Sequence, residues 1–157
     1  MVKRRRGYPQ KIVSGGQTGV DRAALDAALE LEMSAGGWCP RGRRALDGAI
    51  SDFYPLNETP SGRYEERTEW NVRDSDATLI LHEGPLTGGT ALTLSLAKRY
   101  ARPFFLVELT ELPGILAVRR WLWEETILVL NVAGPREVSC PGIYARAYEF
   151  MRKLLEC

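Results

Sequence analysis

The chain has 157 residues, of which 45% are hydrophobic and 26% charged, as expected for one globular domain with a real core. Four of its 21 basic residues lie at positions 3–6, which leaves 17 basic against 20 acidic residues and a net charge of −3. This balance excludes a general nucleic-acid binder, and no apolar run reaches the length of a membrane span.

We expect residues 1–10 to be a basic, disordered leader and residues 11–157 to form a single ligand-binding domain. Strands are predicted at residues 11–14, 36–39, 77–81, 104–107 and 126–130. Helices are predicted at residues 20–31 and 64–74 and in a segment that contains Leu92 and ends at Tyr100. Two more are predicted to begin at Pro113 and at Pro141. Most of the charge of the 64–74 helix is expected on a solvated face.

This alternation predicts an α/β protein: a three-layer, doubly wound (Rossmann-like) domain with a mostly parallel sheet of about five strands. Residues 45–63 contain several turn-forming pairs, and a connection of this length is usually functional. We therefore interpret the segment as a loop lying across the site.

The chain has three cysteines, which lie far apart, and one histidine, and these residues limit the disulfide and metal-binding chemistry that is available to it. Cys39, Cys140 and Cys157 have no metal-type spacing, and His82 has no evident partner. We expect free thiols in a reducing cytoplasm and no protein-bound metal.

A glycine-rich loop, Gly15–Gly19, joins the first strand to the first helix. Glycines let the backbone approach a ligand, and the amides that begin a helix attract anions. The loop lacks the Gly-Lys-Ser/Thr of a P-loop and is not G-x-G-x-x-G. A tight turn with Asp21 at the helix start is the structural alternative.

Two further loops resemble the first, at Gly84–Thr90 and Asn131–Glu137. If the strands run in the order 2-1-3-4-5, the first two loops flank one crevice and the third lies on the same edge. The sequence thus predicts an anion site. Its candidate ligand-binding residues are Gly15, Gly16, Gln17, Thr18, Gly19, Arg22, Arg41, Arg43, Gly84, Thr87, Gly88, Gly89, Thr90, Asn131, Gly134 and Arg136. Each arginine could equally be an ordinary surface residue.

Three carboxylates, Asp21, Glu83 and Glu137, follow strands at the same edge and are the candidate catalytic groups. Nothing in their spacing selects one of them, and no Ser-His-Asp or Cys-His arrangement is present. Whether the chain is an enzyme therefore stays open at this point.

Six motifs together resemble the molybdenum carrier (molybdenum cofactor carrier protein) family. They are Ser14–Ala23, Gly37–Arg43, Arg67–Val72, Ser75–Leu79, Thr87–Ala91 and Asn131–Arg136. The resemblance runs from about Lys11 to the C-terminus. It implies a Rossmann-like fold of the nucleotide-binding superfamily that includes the cytokinin-activating phosphoribohydrolases (lysine-decarboxylase-like).

The resemblance implies a carrier that holds the molybdenum cofactor, a pterin with a terminal phosphate, in a homo-oligomer (dimer or tetramer). Aromatic residues late in the chain fit an oligomer interface and core burial equally well. The phosphoribohydrolases carry a Pro-Gly-Gly-x-Gly-Thr motif followed by a glutamate, and residues 91–96 contain none. A carrier is therefore favoured, and a nucleotide or nucleotide-sugar hydrolase or transferase is the alternative.

Overall fold

The computed structural model describes residues 6–111 and 114–156. Its strands are β1 (Lys11–Val13), β2 (Ser34–Gly36), β3 (Trp38–Cys39), β4 (Arg44–Ala45), β5 (Gly48–Ala49), β6 (Asn57–Glu58), β7 (Ala77–His82), β8 (Phe104–Glu108) and β9 (Val129–Ala133). Its helices are α1 (Val20–Glu30), α2 (Tyr64–Arg73), α3 (Gly88–Arg99), α4 (Ile115–Glu124) and α5 (Ile143–Leu155). None of these helices is long and apolar enough to cross a membrane.

Five strands form a parallel sheet in the order β2-β1-β9-β7-β8, which confirms the predicted α/β fold. The order 2-1-3-4-5, on which the expected crevice was conditional, is not the observed one, because β9 lies between β1 and β7: Ile12 pairs with Leu130, and Thr78 pairs with Asn131. Leu130 and Val132 are fully buried, as a central strand requires, whereas Phe104 and Leu106 of β8 are partly exposed at the sheet edge.

The sheet has a familiar strand order when its strands are numbered from β9 instead of from β1. In that count the order becomes 3-2-1-4-5, the order of a doubly wound nucleotide-binding domain. The strand order then reverses between β9 and β7. Ligand crevices form at this reversal, so the loops after β9 and β7 flank it and the loop after β1 lies next to them.

Two predicted strand boundaries were wrong for identifiable reasons. The predicted strand 36–39 divides at Gly37, whose φ is +125° and whose added Cβ would lie 2.4 Å from the Ser14 carbonyl oxygen. The last strand begins at Val129 instead of Thr126. Asp76 accepts hydrogen bonds from the amides of Leu128 (3.0 Å) and Val129 (2.8 Å), which fixes where the chain joins the sheet.

The helices form the two outer layers. α1, α4 and α5 cover one side, where Ala24, Ala28 and Ala147 allow α1 and α5 to approach closely over Leu81 and Val132. α2 and α3 pack against each other through a smaller cluster of Val72, Leu96 and Ala97. This thinner layer leaves space above the sheet.

The segments outside the helices and the central sheet pack along the flanks. The predicted leader lies partly outside the described residues; within it, the Arg6 guanidinium lies 4.5 Å from the ring centre of Trp123 in α4. In the 45–63 segment, Ile50 and Leu56 pack with Leu25 and Cys39 beside α1. The predicted start of α4 at Pro113 lies outside the described residues.

Candidate functional site

A cavity of about 460 Å³ lies at the carboxyl edge of the sheet, between α2, α3 and the loops after β1 and β9. Ten predicted binding residues or catalytic candidates line it: Gly15, Gln17, Asp21, Thr87, Gly88, Gly89, Thr90, Asn131, Gly134 and Arg136. The structure therefore brings parts of all three glycine-bearing loops to one space. No residue of the 45–63 segment lines this cavity, so the expectation that the segment covers the site was wrong.

One wall of the cavity is the N-terminus of α3. A Cβ added at Gly88 or Gly89 would meet no atom within 4 Å, and Gly88 has a φ of +51°. Thr87 precedes the helix without a side-chain capping bond, and the first turn contains no acidic residue. The Gly88 and Gly89 amides find no acceptor among the described residues, so they are free to bind an anion.

The cavity is also lined by three buried polar residues, which we call the buried triad: Gln17, Asp21 and Arg67. They are 3%, 8% and 7% exposed, respectively. Arg67 donates to the Gly15 carbonyl oxygen at 2.8 Å and to the Thr68 hydroxyl at 3.2 Å. Its second terminal nitrogen, Nη2, has no acceptor among the described residues.

Asp21 is the one candidate catalytic carboxylate that lines the cavity. Burial raises the pKa of its carboxyl to about 6, although Arg67 and the amide of Gln17, which donates at 3.3 Å, oppose the increase. The carboxyl is therefore close to its titration point at neutral pH, which is uncommon for an aspartate and typical of functional sites.

The orientation of the Gln17 amide is fixed by two donors. Its Oε1 accepts from the backbone N–H groups of Thr18 (3.0 Å) and Leu46 (2.9 Å), so Nε2 must occupy the other position. That Nε2 is buried and has no hydrogen-bond partner within residues 6–111 and 114–156. A buried donor without an acceptor is costly and indicates a missing partner.

Sequence reasoning missed the contribution of α2. Most of the charge of this helix was expected on a solvated face, but Arg67 is buried against the Gly15–Gly19 loop. Tyr64, Arg67, Thr68 and Asn71 all line the cavity. Their spacing is that of one helix face, a signal that was present in the sequence.

Several predicted binding residues lie outside the cavity and hold the loops together. A Cβ on Gly16 would meet Leu56 at 2.6 Å and Ile50 at 2.9 Å. The Gly16 carbonyl accepts two bonds from Arg22, which also pairs with Asp47 at 2.9 Å. These residues join the first loop to the 45–63 segment.

The other predicted residues outside the cavity also have structural contacts. A Cβ on Gly19 would lie 2.4 Å from the Pro135 carbonyl oxygen, so this glycine allows the first and third loops to touch. Thr18 accepts from the Glu137 amide at 3.4 Å. Gly84 donates to Glu108 at 2.7 Å, and Arg41 donates its backbone N–H to Ser61 at 2.9 Å.

Arg43 organises the 50–56 loop and does not face the cavity. Its guanidinium donates to the carbonyl oxygens of four residues: Ile50, Ser51, Tyr54 and Leu56. The distances lie between 2.8 and 3.1 Å. Because its N–H groups already donate to these carbonyl oxygens, the Arg43 side chain stabilises the loop.

Two predicted catalytic carboxylates, Glu83 and Glu137, are likewise held by other groups. Glu83 pairs with Arg146 and accepts a weak bond from the Cys140 thiol at 3.5 Å. Glu137 accepts from the amides of Gly142 (2.6 Å) and Tyr144 (3.4 Å), so it caps the start of α5. Neither carboxylate lines the cavity.

A second, more open cavity of about 510 Å³ lies between α1 and the start of α5. Asp26 accepts there from the hydroxyls of Tyr54 (2.6 Å) and Tyr144. Burial, followed by this bond to Asp26, raises the pKa of Tyr54 to about 12. Because these side chains hydrogen-bond to one another, this cavity offers a ligand fewer free hydrogen-bonding groups than the first cavity.

Metal ligands are not grouped in either cavity. Within the described residues, no three His, Cys, Asp or Glu side chains come together in a way that could hold a metal ion.

A family model described as the circularly permutated YpsA SLOG family matches residues 12–155. The chain belongs to this family. The sheet agrees with that description, because moving β9 to the front of the chain restores the 3-2-1-4-5 order. A comparison with curated proteins finds no match.

A solved structure supports the same family. The chain is 40% identical to a protein of Syntrophus aciditrophicus SB named "putative molybdenum carrier protein". The two structures superpose with a TM-score of 0.91, over 98% of each chain. The resemblance that the six motifs indicated is thereby confirmed.

Proposed function

We propose that this protein is a carrier of the molybdenum cofactor type, which holds a phosphorylated pterin in the 460 Å³ cavity. The observation that carries the proposal is one cavity that is lined both by the open N-terminus of α3 and by the buried triad. The name of its relative, a molybdenum carrier, supplies the class of cargo.

The phosphate is assigned to the start of α3. The free amides of Gly88 and Gly89, with Thr90 beside them, can donate to its oxygens, and the helix dipole favours its charge. Arg136 lines the same cavity, and among the described residues its guanidinium donates one bond, to the Ser139 hydroxyl at 3.2 Å. It can add a charge-assisted bond to the phosphate.

The pterin ring is assigned to the space between the phosphate and the triad. A cavity of about 460 Å³ is within the usual range for sites that enclose a ligand of this size. Asp21, Gln17 and Arg67 offer a carboxylate and two donors at its inner part. The protein would bind and shield the cargo without changing it.

Anaerobic incubation with molybdenum cofactor, followed by native mass spectrometry and pterin fluorescence, tests this function. We expect retention at micromolar protein, and loss of retention in Gly89→Val, whose side chain enters open space. Ser95→Val, on the exposed side of α3, is the matched control and should retain the cofactor. Absence of retained pterin in the unsubstituted protein would contradict the proposal.

A nucleotide or nucleotide-sugar hydrolase or transferase is the second candidate, and Asp21 is the observation that favours it. A carboxyl with a pKa of about 6 can exchange a proton with a substrate at neutral pH. A panel of nucleotides assayed for released base or phosphate tests this activity. Turnover that disappears in Asp21→Asn would support an enzyme, whereas background rates throughout would reject it.

We also propose a homo-oligomer, a dimer or tetramer, in the cytoplasm. Leu116 and Trp123 of α4 are exposed apolar side chains that a second copy would cover. Light scattering coupled to size exclusion measures the mass directly. A 17.6 kDa species at micromolar concentration would contradict the oligomer.

A further inference from the structure

We infer that the buried triad reads the 2-amino-4-oxopyrimidine edge of the ligand, an edge that pterins share with guanine. This inference rests on the proposed function, because it takes the phosphate at α3 as the second anchor. It assigns Asp21, Gln17 and Arg67 as the residues that determine specificity for the ring.

Asp21 provides the acceptor side of this recognition. The edge presents a ring N–H and a neighbouring amino group, two donors that point in the same direction. A carboxylate can accept both at once, as it does with other planar pairs of donors. Asp21 accepts from the backbone N–H of Gln17 at 3.3 Å, and a backbone hydrogen bond from Gly15 also favours its charged form. A carboxylate has about four acceptor positions, which leaves capacity for the ring.

Gln17 and Arg67 provide the donor side. The carbonyl oxygen of the edge needs hydrogen-bond donors, and two donors of the triad have no acceptor in the part of the chain that the structure describes. They are Gln17 Nε2, which is buried, and Arg67 Nη2. A ligand carbonyl would satisfy a donor that the fold leaves without a partner.

The same arrangement rejects an adenine edge. Adenine presents an amino donor where guanine has a carbonyl, and a ring acceptor where guanine has N–H. Its acceptor would then face Asp21, and its amino group would face Arg67 and Gln17. Sites built to hydrogen-bond a ring edge discriminate strongly, because a mismatched ligand leaves buried groups unpaired.

Titration calorimetry with four phosphorylated probes tests the assignment on the intact protein. We expect GMP and neopterin phosphate to bind at least about 100-fold more tightly than AMP. The affinity of IMP should lie between those of GMP and AMP, because IMP has the ring N–H and the carbonyl but lacks the amino group. Comparing the affinities for neopterin phosphate and GMP shows whether the natural ligand is a pterin or a nucleotide. Ribose 5-phosphate measures the phosphate contribution alone.

Two substitutions locate the effect on the triad. Asp21→Asn should reduce GMP affinity about 30-fold or more and leave ribose 5-phosphate affinity unchanged. Gln17→Glu keeps the Oε1 acceptor for Thr18 and Leu46 but replaces the free donor with an acceptor, so it should weaken GMP relative to AMP. Circular dichroism confirms that each variant is folded.

The failures of the two proposals are distinguishable. Equal affinities for GMP, neopterin phosphate and AMP, with ribose 5-phosphate bound, would overturn the ring assignment and leave the phosphate site intact. If none of the four probes binds, the proposed function and this inference both fail. A GMP preference that survives both substitutions would overturn the assignment to these residues.

Discussion

Arg67 donates to the carbonyl oxygen of Gly15 at 2.8 Å, across 52 residues of sequence. A Cβ on Gly15 would lie 2.7 Å from Arg67 Cδ, so the guanidinium lies directly on the first glycine loop. The glycine therefore allows an arginine, not an anion, to approach the backbone. The start of α3 is open instead, because a Cβ added at Gly88 or Gly89 would meet no atom within 4 Å, and it is there that we propose the anion binds.

Gly89→Ala separates ligand binding from folding. Gly89 lies in a helix without a positive φ, so alanine should raise the free energy of unfolding by about 0.5–1 kcal/mol. The added methyl enters the open space at the helix start and should weaken phosphate binding about tenfold. Urea titration measures the unfolding free energy, and calorimetry with ribose 5-phosphate measures the affinity. A variant with both a lower unfolding free energy and a lower affinity would contradict the separation of binding from folding at Gly89.

Gly16→Val should damage the fold, contrary to the expectation from sequence that Gly16 is open to ligand. Its φ is +76°, and a Cβ would lie within 2.6 Å of Leu56 and 2.9 Å of Ile50. Strain and overpacking together should cost about 2–4 kcal/mol of unfolding free energy. Thermal unfolding checks this; a variant as stable as the unsubstituted protein would show that the loop adapts freely.

Asp21→Asn should stabilise the ligand-free protein in a pH-dependent manner. The pKa of Asp21 is raised from 3.8 to about 6, so the fold favours the protonated form and loses stability as pH rises through this interval. One pKa unit corresponds to about 1.4 kcal/mol, which gives at most about 3 kcal/mol gained by the neutral amide at pH 7.

The same comparison at low pH is the control for Asp21→Asn. Near pH 4 the carboxyl of the folded protein is already neutral, so the difference between the two proteins should almost vanish. Urea unfolding at pH 4 and pH 7 measures both values. A stability difference that does not change with pH would contradict the raised pKa.

Arg43→Met should loosen the 50–56 loop without affecting the cavity. The substitution removes the donors to four backbone carbonyls, including those of Ile50 and Leu56. Phe53 is 69% exposed in this loop and is a cleavage position for chymotrypsin. We expect cleavage there to accelerate about tenfold, with ribose 5-phosphate affinity unchanged, and Arg41→Met as the matched control.

Local pattern accounts for the parts of the fold that sequence analysis predicted well. The apolar stripe of α1, the charged run of α2 and the continuous apolar run of β7 located these elements to within about two residues, because such signals depend on residues near in sequence. The binding of an anion by Gly88 and Gly89 stays a prediction. Gly37 and Asp76 shifted two strand boundaries through contacts that lie far along the chain.

The sequence by itself determined the fold class, the family motifs and the glycines at the carboxyl ends of the strands. Only the tertiary structure decided that β9 lies between β1 and β7, because β7 and β9 are both largely apolar, buried strands and their pattern does not say which one lies beside β1. It also decided which glycines are open and which are covered. Arg67 of α2 covers Gly15, and Leu56 and Ile50 cover Gly16, whereas Gly88 and Gly89 at the start of α3 stay open.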